Sequence, residues 1–495
     1  MATSAPICSF SEVLFMKQYS VTFQPAQITV QADAGMTLLQ AQILAGLWPD
    51  APCGGKGICG KCLVTLEGME VLSCQTPVTR DMVVFTKKTE NHRILTTGQS
   101  AATAAEGLYD YVLAFDIGTT TLVAYLMDGH TGSQLATASC RNPQAQFGAD
   151  VISRIEYVLS EGPGPLKACI REALTQLADR VCANGNIPRD QIGAVSIVGN
   201  TAMHHLLLGI DPKPLVTPPY MPNVYEALEL DRGCSVRILP NIAGFVGGDT
   251  VGCMVSTRFD QLDEIRLLID IGTNGEMVLG NRNRRIACST AAGPAFEGAK
   301  ISCGMRGAEG AVDHVWWENG KARFHVIGET EPKGLCGSGL LDLVAVLLEQ
   351  EILDESGYLE DKSFALCDNV VLTQKDIREV QLAKAAIRAG IELLAETMGV
   401  EVGDIQQVYL AGAFGNYLDP ASACRIGMIP PLLQDRIVPI GNAAGEGAKL
   451  CALNREEYLY SQRLAKETEF LELASLPQFQ DCYVDALEFS KEEEA

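Results

Sequence analysis

A chain of 495 residues exceeds one ordinary core, so roughly two to four domains are expected. Its composition, 47% apolar and 20% charged, suits large buried cores, and no window reaches the roughly 18 uncharged apolar residues of a membrane span. A net charge of -23 sets its field against nucleic acid and anionic lipid, and with no signal-peptide pattern at the N-terminus a cytoplasmic protein is expected.

Residues 20–34, SVTFQPAQITVQADA, alternate apolar and polar on both sides of QPAQ and predict a β-hairpin. MTLLQAQILAG (36–46) has helical apolar spacing up to a glycine. After a cysteine-rich loop come two strand-like runs, CLVTLEG and MVVFTKK, so 18–92 reads as a small β-rich module with one helix. Residues 93–110 are small and polar and predict a linker. From 111 onward strands and helices alternate. YVLAFDIGTTTLVAYLMD is a strand, a tight turn and a strand, followed by the amphipathic helices ADVISRIEYVLS and LKACIREALTQLADRVCANG and the buried strand QIGAVSIVGN. A second set starts at EIRLLIDIGTNGEMVLGN (264–281) and runs through a long helix, the strand and glycine turn DIQQVYLAGAFGNY, and the helix NAAGEGAKLCAL. Asp-Ile-Gly-Thr stands at Asp116–Thr119 and again at Asp270–Thr273, a weak repeat expected of two related lobes, 111–262 and 263–455. The charged segment 456–495 is predicted to be an extension that frays.

Most of the seventeen cysteines are scattered singly through apolar segments, where the thiol acts as a small hydrophobe. Cys53, Cys59, Cys62 and Cys74 are clustered, as C-x5-C-x2-C-x11-C, on a loop that also holds Gly54, Gly55, Gly57 and Gly60. Such glycines let backbone N–H groups approach sulfur. Structural zinc favours two paired C-x2-C half-sites, and only one is present. A [2Fe–2S] cluster is therefore favoured, with zinc and ordinary thiols as alternatives. The stretch CGGKGICGKC resembles plant-type [2Fe–2S] ferredoxin domains, with a first gap one residue longer and a nearer fourth cysteine.

A β-turn-β with Asp, Gly and Thr at its tip can hold phosphate oxygens on backbone and hydroxyl donors while its Asp binds Mg2+ through water. Two copies are far stronger evidence than one. With AGAFGNY and GNAAGEGAKL downstream, the order is similar to the sugar-kinase, actin and heat-shock-chaperone superfamily of ATPases. That resemblance implies a first phosphate loop of Asp116, Gly118, Thr119, Thr120 and Thr121 and a second of Asp270, Gly272, Thr273, Asn274 and Glu276. Gly412, Gly415 and Asn416 would lie in the adenosine loop, and Asn442–Lys449 in a connecting helix. GFVGGDTVGCM resembles the segment of carbohydrate kinases in which an Asp acts as base, so Asp249 would orient the attacking water; the alternative is a helix cap. Glu297, in GPAFEG, could line the nucleotide or a partner surface, or only a structural loop. His204 and His205 read as packing residues.

Together the two halves resemble the reductive activators of corrinoid proteins. That resemblance implies an α+β ferredoxin-like (β-grasp) domain followed by an α/β two-lobed actin-like ATPase with ribonuclease-H-like lobes. It also implies ATP-dependent reduction of a corrinoid protein from Co(II) to Co(I), with a [2Fe–2S] cluster, ATP and Mg2+ as cofactors, an upstream electron donor, and a homodimer. Two other readings share parts of the pattern: an electron-donating activator of a radical dehydratase or reductase, and a small-molecule kinase with an iron–sulfur sensor.

Overall fold

The computed structural model of the chain describes residues 17–45, 47, 49, 51, 55, 57, 60–86 and 95–489. These residues separate into two compact units, divided between positions 89 and 90. In the first unit, β1 (Gln18–Gln24) and β2 (Ile28–Asp33) form the expected hairpin, with Val21 opposite Val30. Helix α1 (Leu38–Leu44) opens at a capping box between Thr37 and Gln40. Strands β3 (Leu63–Leu66), β4 (Met69–Leu72) and β5 (Met82–Thr86) complete a mixed sheet of order β2-β1-β5-β3-β4, in which β1 and β5 run parallel. Alternate residues Val21, Phe23, Val64, Met82 and Val84 bury against Leu38 and Ala41 of α1, the arrangement of a ferredoxin-like domain.

The second unit repeats one plan twice. Its first lobe contains β6 (Tyr111–Ile117), β7 (Thr121–Asp128), β8 (Gln134–Arg141), α2 (Val151–Glu161), α3 (Gly164–Gly185), β9 (Ile192–Gly199), α4 (Thr201–Leu208), β10 (Leu228–Asp231), β11 (Ser235–Ile238) and α5 (Gly248–Thr257). The second begins with β12 (Ile265–Ile271), β13 (Gly275–Gly280) and β14 (Arg285–Thr290). A small sheet of β15 (Ala311–Glu318), β16 (Lys321–Val326) and β17 (Gly334–Leu335) comes next, then α6 (Gly337–Glu349), the hairpin β18 (Ser363–Cys367) and β19 (Val370–Thr373), and the long α7 (Gln374–Met398). The lobe continues with β20 (Ile405–Ala411), α8 (Gly412–Tyr417), α9 (Pro420–Arg425) and β21 (Ile437–Gly441). Helices α10 (Ala443–Leu453) and α11 (Arg455–Glu467), strand β22 (Thr468–Phe470) and α12 (Phe479–Asp485) end the described chain.

Sheet orders are β10-β11-β9-β6-β7-β8 and β21-β20-β12-β13-β14-β22. In each, an antiparallel meander is flanked by a strand parallel to its first member, β9 beside β6 and β20 beside β12. Asp116 and Asp270 thus occupy equivalent positions, the penultimate residues of β6 and β12. Helices α5 and α10 cross backbone to backbone, since a Cβ on Gly447 would lie 2.1 Å from the Gly252 carbonyl oxygen. Among the described residues no helix is long and apolar enough to cross a membrane.

Three expectations need correction. Residues 95–106, expected to be part of a linker, lie along α10. Gly98 bridges Gly441, Asn442 N–H donates to Thr97 O at 2.9 Å, and Glu106 N–H donates to Leu453 O at 3.2 Å. The expected fraying after 455 does not hold as far as 489. Strand β22 adds to the second sheet beside β14, and Phe489 is 2% exposed, with its N–H on Glu355 O at 2.8 Å. The glycine turn expected after β20 is instead the short helix α8.

Candidate functional site

Each Asp-Ile-Gly-Thr turn closes tightly: Gly118 N–H donates to Thr121 O and Gly272 N–H to Asn274 O, both at 2.9 Å. The first turn is gripped from behind. Asn142 donates through its side chain to Gly118 O and through its N–H to Thr120 O, both at 2.8 Å. Arg154 Nη2 donates to Thr119 O at 2.7 Å, and Asn200 Nδ2 to Thr119 Oγ1 at 2.9 Å. With three successive carbonyls fixed, the turn is held rigid.

Arg154 and Asn142 were not legible as site residues. Arg154 is 0% exposed; its other donors reach Gly148 O (2.9 Å) and Met203 Sδ (3.5 Å). Among the described residues no carboxylate lies within ion-pair distance of it, so a buried positive charge sits beneath the first turn. Its one sequence signal is an arginine in the helix that follows the meander.

Four carboxylates gather around the two turns. Burial raises Asp116 and Asp249 to about 6 each. Burial, then the charges of Asp249 and Asp116, raises Asp270 to about 7. Glu276, which accepts a bond from Asn274, is pushed well above the ordinary range by burial and by Asp249 and Asp270. Neighbouring like charges and loss of water both disfavour ionisation, so the quartet invites a cation. Among the described residues, however, no group of three or more His, Cys, Asp or Glu side chains is arranged to hold a metal directly. Asn442, the cap of α10, donates to Asp116 Oδ2 at 2.8 Å and so ties α10 to the first turn.

Asp249 is not the cap of α5. Gly247 is, and Asp249 lies in the first turn, its Oδ1 accepting from Thr250 N–H at 2.8 Å. Gly247 brings α5 against α4, where a Cβ would lie 2.5 Å from the Thr201 nitrogen. Glu297 links the two lobes: Thr120 Oγ1 donates to its Oε2 at 3.5 Å and Thr273 Oγ1 to its Oε1 at 2.7 Å. Beside it, Phe296 stacks on Phe414 of α8, with ring centres 5.0 Å apart. Gly412 opens α8 at φ 82°, and a Cβ there would lie 2.7 Å from Asp270 Oδ1, so this cradle needs glycine. Gly415 and Asn416 share that helix, Gly415 turned toward Leu410. His204 and His205 are buried packing residues, bonded to Asn241 and to Thr201 O and Asn223 N.

In the first unit Cys62 and Cys74 are buried side by side with Leu39. Cys53 and Cys59 lie outside the described residues. Gly55, Gly57 and Gly60 take φ of 83°, 76° and 68°, turns that a side chain would strain. Gly57 N–H and Gln75 Nε2 both donate to the Cys74 sulfur, while burial and then Cys62 raise its pKa. Amide donors aimed at sulfur suit a cluster-bound thiolate.

The chain matches three family models: a 2Fe-2S iron–sulfur cluster binding domain over residues 21–83, the RACo middle region over 111–262, and the C-terminal domain of RACo, described as the ASKHA domain, over 264–495. It is 37% identical over 415 residues to the corrinoid activation enzyme RamQ of Eubacterium limosum, covering 76% of this chain and 69% of the relative. It is 26% identical over 394 residues to the [Co(II) methylated amine-specific corrinoid protein] reductase of Methanosarcina barkeri, covering 72% and 71%. A solved reductive activator for a corrinoid, iron–sulfur protein superposes with a TM-score of 0.69 at 29% identity, over 95% of this chain and 98% of that one. The chain belongs to the RACo family, the reductive activators of corrinoid proteins.

Proposed function

We propose that this protein couples ATP to the one-electron reduction of a corrinoid protein from Co(II) to Co(I), so that methyl transfer can resume. The observation that carries the reading is the joining of the two Asp-Ile-Gly-Thr turns through Glu297 above four carboxylates, in a chain that also has an iron–sulfur domain. The hydroxyls of Thr119, Thr120, Thr121 and Thr273, with the backbone at Gly118 and Gly272 and the Asn274 side chain, receive the phosphates. Asp116 and Asp270, with Glu276 beside them, face Mg2+ through its water shell. Asp249 orients the water that attacks the γ-phosphate, and Gly412, Gly415 and Asn416 border the adenosine. Cys53, Cys59, Cys62 and Cys74 would hold a [2Fe–2S] cluster, which supplies single-electron transfer at a potential near -400 mV in plant-type centres. ATP then acts by binding two conformations unequally, rather than by transferring a phosphoryl group to product. An upstream donor supplies the electron, and the working form is a cytoplasmic homodimer.

The test mixes chemically reduced protein, ATP and Co(II) corrinoid proteins of methyltransferase systems, among them a methylated-amine-specific one, and follows the visible spectrum. ATP-dependent appearance of Co(I) is expected. Its absence across that set, with ATP still hydrolysed, would remove the proposal.

A further inference from the structure

We infer that the turn Pro294–Glu297 is a nucleotide-sensing lever, in which the Glu297 carboxylate competes with an ATP phosphate for the hydroxyls of Thr120 and Thr273. The inference rests on reading the two turns as phosphate loops. One carboxylate bridges them, Oε2 taking the Thr120 hydroxyl at 3.5 Å and Oε1 the Thr273 hydroxyl at 2.7 Å. A phosphate held between the turns needs the same donors, and two anions sharing them repel. Its arrival drives Glu297 off at least one hydroxyl. Arg306 offers the displaced carboxylate a partner, with Nη2 3.9 Å from Oε2.

The same four-residue turn touches the proposed adenosine side, because Phe296 stacks on Phe414 of α8 at an interplanar angle of 2°. Residues 302–305, just beyond the turn, are tied to two long helices. Met305 N–H donates to Leu335 O at 2.8 Å and Leu335 N–H to Cys303 O at 2.9 Å, just before α6 begins. Ser302 N–H donates to Asp376 Oδ1 at 2.7 Å, in the first turn of α7. A shift of Glu297 is therefore passed to the starts of α6 and α7. Glu297 trades places with phosphate instead of helping to hold it.

The test titrates ATP and adenosine into full-length wild type, E297A and E297Q by calorimetry, and follows amide hydrogen exchange over residues 298–306 with and without ATP. Both variants are expected to bind ATP about tenfold tighter than wild type, with adenosine affinity unchanged, and to lose the ATP-induced change in exchange. Weaker ATP binding with intact adenosine binding would overturn the inference, because Glu297 would then hold the phosphate or its metal. Unchanged ATP affinity, or a retained exchange response, overturns it as well. E297Q keeps the side-chain volume and gives the same reading should E297A not fold. A wild type that fails to bind ATP would remove the nucleotide-site reading itself and leave a different failure on record.

Discussion

Arg154 is held by three neutral acceptors, the carbonyls of Thr119 and Gly148 and the Met203 sulfur. Burial lowers its pKa to about 10, which still leaves it charged at neutral pH. Arg154→Met strips donors from two carbonyls at about 1–3 kcal/mol each, and the loss should appear as a lower urea midpoint. ATP affinity should fall further than adenosine affinity, since in the proposed site only the phosphates would meet the loosened turn; equal losses would mean a purely structural role. The carboxylate quartet carries a second prediction, with its sign set by raised pKa values. An acid whose folded pKa is raised stabilises the fold relative to its ionised form below the ordinary value near 4, and that contribution is lost as pH rises through the folded value. Asp249 and Asp270, at about 6 and 7, should make the metal-free protein less stable as pH climbs from 5 to 8. Melting temperature against pH in EDTA checks this: Asp249→Asn should flatten the decline, exceeding wild type at pH 8 and matching it at pH 4. Asp116 and Asp270 were conspicuous in the sequence because each stands in a repeated turn. Arg154 was not, because in ADVISRIEYVLS an arginine reads as the solvated side of an amphipathic helix, and only the meander folded over it makes it internal.

At the scale of elements, the segment 95–106 shows why composition misleads. Its small polar residues lack apolar period and so predict a linker, yet small residues are what a close backbone approach requires. A Cβ on Gly98 would lie 2.7 Å from Ile440 O and 2.8 Å from the Asn442 carbonyl carbon. Its bonds run through the backbone, from Gln99 N–H to Ile440 O and Ala101 N–H to Ser256 O, and such bonds leave no side-chain pattern to read. Thr103 adds a bond to Glu457, which also holds Arg258 in a two-pronged pair. Gly98→Val should peel the segment away, and limited proteolysis should then cut within 95–106 while the rest of the second unit stays resistant. The tail misled for the opposite reason: charge predicts fraying, but Arg284 and Arg285 pair with Glu469 and Glu467 alongside the three-residue strand β22.

Across the whole molecule, the two units carry separable chemistry. Cys62→Ser should abolish ATP-dependent Co(I) formation yet leave the thermal shift on adding ATP at its wild-type size, because Cys62 belongs to the first unit's buried cysteine pair and the turns to the second unit. Loss of both together would argue against this division. The lobed fold was legible because duplication leaves two copies of one turn in the sequence. The lobe junction was not: the α5–α10 crossing depends on Gly252 and Gly447, and isolated glycines in helices look like defects until the partner helix is in view.

Asn442 has a mechanical consequence. Its N–H donates to the Thr97 carbonyl, its side chain caps α10, and the same side chain bonds Asp116. Tension applied at residue 95 is therefore felt first at Thr97, bonded to the residue whose side chain holds Asp116, and only later at Ala104 and Glu106 near the far end of α10. The strap works as a tether whose taut end is at the proposed nucleotide site. Pulling on it in an optical trap should lengthen the dwell between hydrolysis events before any helix unravels, whereas the same load applied to the Phe489 end should not.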